Sequence, residues 1–287
     1  MVKPSFKKKC IDYLRNKYRS GLKSICSIMR ISRSSYYYTS RLDDSEVIEV
    51  LDQLVGSHPN RGFDNYYERM RREGYTWSRN KVLRIYREQG LVRRAKRRRK
   101  LPEGLRVPLT PANQLNEVWS MDFMSDCLSD GRTIRILNVI DDYNRECILS
   151  EASISYPSAR VIRALEIALE EKGKPRFIRT DNGPEFVSKE YKEWCSEKGI
   201  TPIYAEPGKP MQNGYIERHN RTFREDVLDA YLFHSIEQVN IITEKWMEDF
   251  NRYHPHSALN KKSPIEFADR RQPSFGLYKA QKRAEVH

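Results

Sequence analysis

The order of strand-like and helix-like segments between residues 117 and 204 constrains the fold of this chain more than any other feature. Three short apolar runs follow one another closely, and a turn sequence, Ser129-Asp130-Gly131, separates the first two. The predicted strands are 118–124, 132–140, 146–149, 176–181 and 200–204, and the predicted helices are 158–173, capped by Ser158, and 188–198. Three antiparallel strands followed by alternating helix and strand predict an α/β mixed sheet.

Three acidic side chains occupy unusual positions in this pattern. Asp122 lies inside an apolar run, where an ionised carboxylate is costly to bury unless it is paired or binds a metal ion. Asp181 ends a strand just before the turn-forming Asn182-Gly183-Pro184, and 35 residues (182 to 216) separate it from Glu217 on a helical stretch. Carboxylates from two strands and one helix suit Mg²⁺, which prefers hard oxygen ligands. Two such ions, about 3.5–4 Å apart, can clamp the attacking and leaving oxygens of a phosphoryl transfer.

Five segments of the chain resemble, in the same order, the blocks that characterise the insertion-sequence-three family of DDE transposases. The resemblance spans residues 45–270 and extends to the retroviral integrases, whose catalytic core is ribonuclease-H-like. Any single block is a weak signal, whereas five in order, together with the 35-residue interval, are specific. The segments are VWSMDF, LNVIDDYNRE, IRTDNGPEF, QNGYIERHNRTFREDVLDAYLF and YHPHSALNKKSPIEF.

The resemblance implies a function, a site and partners. It implies a Mg²⁺-dependent polynucleotidyl transferase that cleaves and joins DNA strands at insertion-sequence ends, with an integrase-like core over residues 117–270. Asp122, Asp181 and Glu217 would be the catalytic residues and would hold two Mg²⁺ ions, with Mn²⁺ as a substitute. The partners would be double-stranded DNA at the element ends and target, further copies of the chain in an active homo-oligomer, and an upstream-frame protein, either separate or joined in a frameshift fusion.

Asp141 and Asp142 form a rival pair of candidate ligands because they lie just beyond a strand end. The family places its first acid in the earlier strand, which favours Asp122. We therefore interpret Asp141 and Asp142 as turn-forming acids that support the site electrostatically. Asp126, four residues after Asp122, is interpreted as a solvated charge at a strand end.

The positive charge of the chain is concentrated before residue 111. The whole sequence carries a net charge of +13. Residues 1–110 hold 27 Lys and Arg against 11 Asp and Glu (+16), and the remaining 177 residues hold 25 against 28 (−3). This distribution is typical of a region that binds a polyanion, and a solubilising tail is the alternative. The basic residues are interleaved with a helical pattern, which favours contact with DNA.

Two helical units and a linker are predicted in this basic region. Residues 1–40 contain a candidate helix-turn-helix whose second helix is capped by Ser32, and an ordinary helical hairpin is the alternative. Residues 45–91 resemble the helix-turn-helix segment that precedes the core in the same family. Residues 92–116 form a basic linker interrupted by prolines, and residues 271–287 form a polar tail.

Candidate DNA contacts come from two helix starts, the basic linker and two positions near the acids. The resemblance adds Lys209, in a loop that borders bound DNA in related enzymes, and Arg224, seven residues after Glu217, where the family commonly has a basic residue. A surface charge in a helix-stabilising pair is the alternative for Arg224. The other candidates are Arg33, Ser34, Ser35, Arg79, Asn80, Lys81, Arg93, Arg94, Lys96, Arg97, Arg98, Arg99 and Lys100.

The composition argues against a membrane protein, a secreted protein and a zinc-finger protein. No run is long and apolar enough to span a membrane, and the N-terminus lacks the apolar core of a signal peptide. The five cysteines form no C-x-x-C pair, which fits reduced thiols and no zinc finger. With the resemblance, we expect a cytoplasmic, nucleoid-associated bacterial protein.

Two rival functions are weighed against transposition. A non-enzymatic helix-turn-helix DNA-binding regulator leaves Asp122 and the 35-residue interval unexplained. An RNA-directed ribonuclease of the same fold would need four acids, which are not evident, and would leave the N-terminal helices without a role.

Overall fold

The computed structural model describes residues 4–19, 21–38, 43–92, 111–206 and 213–268, and the chain divides into two compact units, residues 1–46 and 47–287. Each unit is built around its own buried apolar residues. Within the described ranges, no helix is long and apolar enough to cross a membrane.

The first unit is a small assembly of helices α1 (Pro4–Tyr18), α2 (Leu22–Ile28) and α3 (Arg33–Tyr37). Its buried centre consists of Ile11, Ile25 and Cys26. The chain turns between α2 and α3 at Arg30, whose φ is 50°. The Ser32 hydroxyl accepts a hydrogen bond from the backbone nitrogen of Ser35 at 3.0 Å, so the predicted cap of the short helix is confirmed.

Three further helices precede the sheet: α4 (Ser45–Ser57), α5 (Phe63–Arg72) and α6 (Arg79–Glu88). Apolar side chains three or four residues apart form one face of each helix, and these faces pack together. The buried members are Val47, Val50, Leu51, Leu54, Tyr66, Met70, Val82, Ile85 and Tyr86. The Ser78 hydroxyl accepts from the backbone nitrogen of Lys81 at 3.3 Å and caps α6.

A five-stranded mixed sheet follows, as predicted from the order of the apolar runs. The strands are β1 (Val118–Cys127), β2 (Thr133–Asp141), β3 (Cys147–Ser153), β4 (Phe177–Thr180) and β5 (Thr201–Tyr204). Their order across the sheet is β3-β2-β1-β4-β5. β2 pairs antiparallel with both β1 and β3, whereas β1, β4 and β5 run parallel to one another.

Helices cover both faces of the sheet because alternate strand residues point to opposite sides. Trp119 and Met121 of β1 pack with α7 (Ser158–Lys172), α8 (Pro184–Val187) and α9 (Lys189–Lys198). Met124 faces the other side, toward α10 (Gly214–Phe223), the π-helical turn Arg224–Leu228 and α11 (Ile236–Tyr253). A last short helix, α12, spans Pro264–Ala268.

Two local predictions were wrong. Pro157, not Ser158, is the N-cap of α7, and the Ser158 hydroxyl instead donates to the backbone carbonyl of Glu185 at 3.1 Å. The chain does not simply turn at residues 182–184, because Pro184 occupies the first position of a helical turn, α8, where its fixed φ is favourable.

Arginines of the α5 region attach this helix to the helices that cover the sheet. The Arg69 guanidinium donates to Asp249 Oδ1 at 2.8 Å and to Oδ2 at 2.5 Å. Arg61 pairs with Asp226 in the π-helical turn, and Arg72 pairs with a carboxylate of α12 at 2.8 Å. The positive charge of these side chains is therefore neutralised within the fold.

Half-buried histidines should make the fold sensitive to acid. Burial, together with the positive charge of Arg69, lowers the pKa of His58 to about 4. Burial also lowers the pKa of His256 to about 3. Because the folded pKa lies below the unfolded value of about 6.5, the unfolded chain binds more protons, and stability is lost as pH falls through this window. For His58 alone we expect a loss of about 2 kcal/mol between pH 7 and pH 5.

Urea unfolding at pH 7 and pH 5 tests this expectation. The His58→Gln variant should lose less stability between the two pH values than the unchanged chain. His234→Gln, at an exposed position, is the control and should behave as the unchanged chain does. Equal pH dependence in the chain and the His58→Gln variant would contradict the role given to His58.

Candidate active site

Asp122 and Asp181 lie at the same level of two neighbouring strands. Asp122 is in the middle of β1, opposite Asn138 of β2. Asp181 directly follows β4, which runs parallel to β1 with Arg179 beside Ser120. Two residues further along each strand, the register brings the two acids to adjacent positions. The strand arrangement thus explains how side chains 59 positions apart (181 − 122) come together.

α10 carries Glu217 to the same place. The helix packs on β1 and β2. Ile216 and Phe223 are fully buried on its inner face, and Val227 in the following π-helical turn continues that face. Glu217 itself is exposed, so its carboxylate is accessible to a ligand.

The electrostatics of Asp122 show that the three acids share one neighbourhood. Burial, together with the negative charges of Asp181 and Glu217, raises the pKa of Asp122 to about 6. Hydrogen bonds from the backbone nitrogen of Phe123 at 2.8 Å and from Asn220 Nδ2 at 2.9 Å act in the opposite direction. A nearby cation would relieve the repulsion among these carboxylates.

The three carboxylates are the kind of ligand that a hard divalent cation prefers, but they are not close enough together to surround one ion. Within the part of the chain that the structure describes, no three His, Cys, Asp or Glu side chains are close enough to ligate one ion as they stand. Asp122 is partly buried, whereas Asp181 and Glu217 are exposed. All three supply only carboxylate oxygens, the ligand type that Mg²⁺ prefers.

The backbone packs closely beside Asp181 at Gly183. The Gly183 backbone nitrogen donates to Asp181 Oδ1 at 3.0 Å. A Cβ at position 183 would lie 3.1 Å from that oxygen and 3.1 Å from Glu185 Oε2. Glu185 is engaged elsewhere, since it pairs with Arg135. The loop therefore holds Asp181 by one backbone contact and leaves its other oxygen available.

The rival acids have structural partners away from the three candidates. Asp141 Oδ2 accepts from the backbone nitrogen of Asn116 at 2.7 Å. Asp142 Oδ2 accepts from Arg179 Nη1 at 2.5 Å in a buried ion pair. Burial raises the pKa of both carboxyl groups, that of Asp141 to about 6. Asp141 also accepts from the backbone nitrogen of Tyr143 and so stabilises the turn after β2, whereas Asp142 joins that turn to β4.

Arg224 lies at the far end of β1. Its Nη2 donates to the backbone carbonyl of Ser125 at 2.9 Å, and its Nη1 lies 3.7 Å from Asp126 Oδ2. Asp126 is therefore partnered and not only solvated. The pair joins the start of the π-helical turn to the strand that carries Asp122.

The predicted DNA contacts are distributed over both units and over residues outside the described ranges. Arg33, Ser34 and Ser35 are exposed at the start of α3, in the first unit. Arg79 opens α6 in the second unit, where it pairs with Asp64 at 2.8 Å. Asn80 is exposed and Lys81 is half-buried in the same turn. Outside the described residues lie Arg93, Arg94, Lys96, Arg97, Arg98, Arg99, Lys100 and Lys209.

Three buried polar residues near Asp122 were missed from the sequence. Asn138 is fully buried, and Ser150 and Asn220 are 8% exposed. Asn220 contacts Asp122 directly, as described above. The available signal was an asparagine inside the apolar run of β2, a position where an amide is costly to bury without partners.

Comparisons with known proteins agree on one family. Models described as integrase core domain match residues 112–210 and residues 198–264. The chain is 34% identical over 257 residues to the insertion element IS407 uncharacterized 31.7 kDa protein of Burkholderia multivorans (strain ATCC 17616 / 249), covering 89% of this chain and 93% of that protein. It is 21% identical over 279 residues to the transposase InsD for insertion element IS2A/D/F/H/I/K of Escherichia coli, covering 88% and 92%.

A solved structure has the same kind of core. In the cryo-EM structure of the simian T-cell lymphotropic virus intasome in complex with PP2A regulatory subunit B56 gamma, one chain is similar with a TM-score of 0.50 and 18% identity, over 69% of this chain and 70% of that chain. At this identity the likeness concerns the fold alone. It agrees with the ribonuclease-H-like mixed sheet predicted for the core.

Proposed function

The chain belongs to the insertion-sequence-three family of DDE transposases, and from this premise we propose that it cleaves DNA at the ends of an insertion sequence and joins the freed ends to target DNA with two Mg²⁺ ions. Its general role is DNA transposition. The observation that carries the finer proposal is geometric: the parallel register of β1 and β4 supports adjacent positions for Asp122 and Asp181, and α10, which carries Glu217, packs on β1.

Asp122, Asp181 and Glu217 are the residues that we propose as metal ligands and catalytic groups. When bound, the ions supply activation of the attacking oxygen and stabilisation of the leaving oxygen. The protein contributes a fixed Asp122, held by two hydrogen bonds, and two exposed carboxylates that are accessible to a phosphodiester. The attacking groups are water and then a 3′-hydroxyl of DNA, so no protein nucleophile is needed.

DNA binding is proposed for the basic N-terminal part and for residues beside the site. Phosphate contacts give affinity without sequence preference, and helix starts in a groove can add base contacts. Arg33, Ser34, Ser35, Arg79, Asn80 and Lys81 are the helix-start candidates, and the 93–100 tract, Lys209 and Arg224 are the others. Cutting two element ends requires at least a dimer at work, with an upstream-frame protein as a further candidate partner.

Replacing Arg33 with glutamine should weaken DNA binding and lower its salt dependence. Arg33 is exposed, and the described residues offer it no carboxylate partner. If it contacts one phosphate, the slope of log K against log salt should fall by about 1. Filter binding or anisotropy across a salt series measures this slope. Arg252→Gln, at an exposed position on α11, is the matched control, and an unchanged slope for Arg33→Gln would remove Arg33 from the contacts.

The proposed function is tested with a supercoiled plasmid that carries the coding region of the chain and its flanking DNA. In Mg²⁺ or Mn²⁺ we expect nicks at the element ends and joined products, and neither with EDTA. An RNA–DNA hybrid is incubated in parallel. DNA binding without any metal-dependent cleavage favours the regulator, and loss of RNA from the hybrid favours the ribonuclease.

A further inference from the structure

We propose that Ser150, Asn138 and Asn220 form a hydrogen-bond relay that positions the Asp122 carboxylate and sets the affinity of the site for divalent cations. The inference rests on the proposed function, since it assumes that Asp122 is a metal ligand. It assigns a positioning role to residues on β2, β3 and α10 that do not themselves touch the cation.

The relay is continuous from β3 to Asp122. The Ser150 hydroxyl donates to Asn138 Oδ1 at 2.6 Å, and Asn138 Nδ2 donates to Asn220 Oδ1 at 2.8 Å. Asn220 Nδ2 then donates to Asp122 Oδ2 at 2.9 Å. Asp122, Asn138 and Ser150 are direct cross-strand partners on β1, β2 and β3, so strand register alone aligns the row.

All three hydrogen bonds donate in the same direction, from Ser150 toward Asp122. Each asparagine accepts on its oxygen and donates from its nitrogen, an orientation that the network itself fixes. The last acceptor is a carboxylate, so the final bond is charge-assisted and favours the ionised form. With Phe123 N on Oδ1, both Asp122 oxygens are held, and their remaining lone pairs stay available for a cation.

The relay also links two of the acids. Asn220 lies three residues after Glu217 on α10, so the two side chains project from the same side of the helix. By bonding both Asn138 and Asp122, Asn220 fixes α10 against β1 and β2. The distance between Glu217 and Asp122 therefore depends on Asn220 as well as on apolar packing.

Stability alone does not account for these residues. A buried amide contributes little net stability even when fully bonded, and leucine or valine would fill the same interior positions without a desolvation cost. Asn138 interrupts the apolar run of β2 at the one position opposite Asp122. A row of polar side chains that ends on a proposed ligand is what outer-shell support of a metal site requires.

The test measures metal binding separately from activity. The probe is Mn²⁺ alone, titrated against the full chain and followed by the EPR signal of the free ion. Asn138→Leu and Asn220→Leu should weaken Mn²⁺ binding about tenfold, as loss of an outer-shell partner does elsewhere, and should raise the Mg²⁺ concentration needed for half-maximal cleavage. Ser150→Ala, at the far end of the relay, should have a smaller effect in the same direction.

Asn251→Leu is the matched control. Asn251 is also an asparagine that is 8% exposed, but it bonds the backbone nitrogen and carbonyl of Cys147 at 2.8 Å and 2.9 Å and has no bond to Asp122. It should lower resistance to urea without changing Mn²⁺ affinity. A double-mutant cycle adds Asp122→Asn, in whose background the relay substitutions should no longer change Mn²⁺ affinity.

Wild-type Mn²⁺ affinity in Asn138→Leu and Asn220→Leu overturns the relay, as does an equal loss in Asn251→Leu. If the leucine variants do not fold, Ser150→Ala decides by the same criterion. An unchanged chain that neither binds Mn²⁺ nor cleaves its plasmid overturns the proposed function itself. That result is distinguishable, because it is seen before any substitution is made.

Discussion

Replacing Asp181 with asparagine should reduce DNA cleavage by about 10³-fold, because one metal-ligating carboxylate supports several kcal/mol of charge stabilisation in the transition state. The substitution keeps the size of the side chain. Asp181 is exposed and makes one described hydrogen bond, from the backbone of Gly183. Folding should therefore change little. Cleavage of the plasmid in Mg²⁺, urea unfolding and DNA binding are the three measurements.

Asp130→Asn is the matched control for this variant. Asp130 is an exposed acid in the turn after β1, where it pairs with Arg132 at 2.7 Å. Its replacement should leave the cleavage rate within about twofold of the unchanged chain, since a surface pair contributes little. Cleavage by Asp181→Asn at the rate of the control would remove Asp181 from the catalytic residues and with it the proposed site.

Replacing Arg69 with methionine should lower the free energy of unfolding by about 3 kcal/mol. Arg69 is 7% exposed in its side chain and makes paired hydrogen bonds to Asp249, which is 25% exposed. Burial alone would raise the pKa of Asp249, but the hydrogen bonds and charge of Arg69 outweigh it and hold that pKa below its ordinary value. Without Arg69, Asp249 remains as a largely buried and poorly compensated charge.

Urea unfolding at neutral pH measures the loss. Arg84→Met is the control, since Arg84 pairs with Glu88 at 3.0 Å on an exposed helix face and should contribute less than about 0.5 kcal/mol. Adding Asp249→Leu to Arg69→Met should recover part of the loss because no unpaired charge remains. A loss as small as that of the control would show that the Arg69–Asp249 pair contributes little to holding α5.

The same pair gives stability that depends on pH. A folded pKa of Asp249 below the unfolded value of about 3.8 contributes stability above that value and loses it as pH falls through the folded pKa. Stability from Asp249 is therefore lost at a lower pH than the stability that is lost when His58 is protonated in the unfolded chain. The two contributions can therefore be separated in one acid titration of the unfolding free energy.

The sheet could be predicted from sequence because its signals are local. Each apolar run, the turn at Gly131 and the helix end at Gly173 is marked by residues close together in the sequence. Both glycines adopt positive φ. The position of Asp122 could also be predicted, since a charge inside an apolar strand stands out. The α8 turn was not predictable in this way, because Gly183 and Pro184 are compatible with either a loop or a helix start.

The distribution of charge along the chain could be predicted from the sequence, but the partners of the basic side chains could not. The N-terminal excess suggests contact with DNA, yet Arg61, Arg69 and Arg72 pair with carboxylates of the helices that follow the sheet. Their partners are 165, 180 and 194 positions away (226 − 61, 249 − 69, 266 − 72). No local pattern reports such pairs, and formal charge therefore overstates what a basic region offers to DNA.

Sheet order has a consequence for the newly synthesised protein. The β1–β2–β3 meander can form as soon as it leaves the ribosome, whereas β4 must return to the free edge of β1 after a long excursion. Glu217 is synthesised later still, 36 positions after Asp181 (217 − 181). The basic N-terminal part of a growing polypeptide is therefore made before Asp122, Asp181 and Glu217 are all present, and a product that ends before α10 would lack one of the three acids proposed as metal ligands.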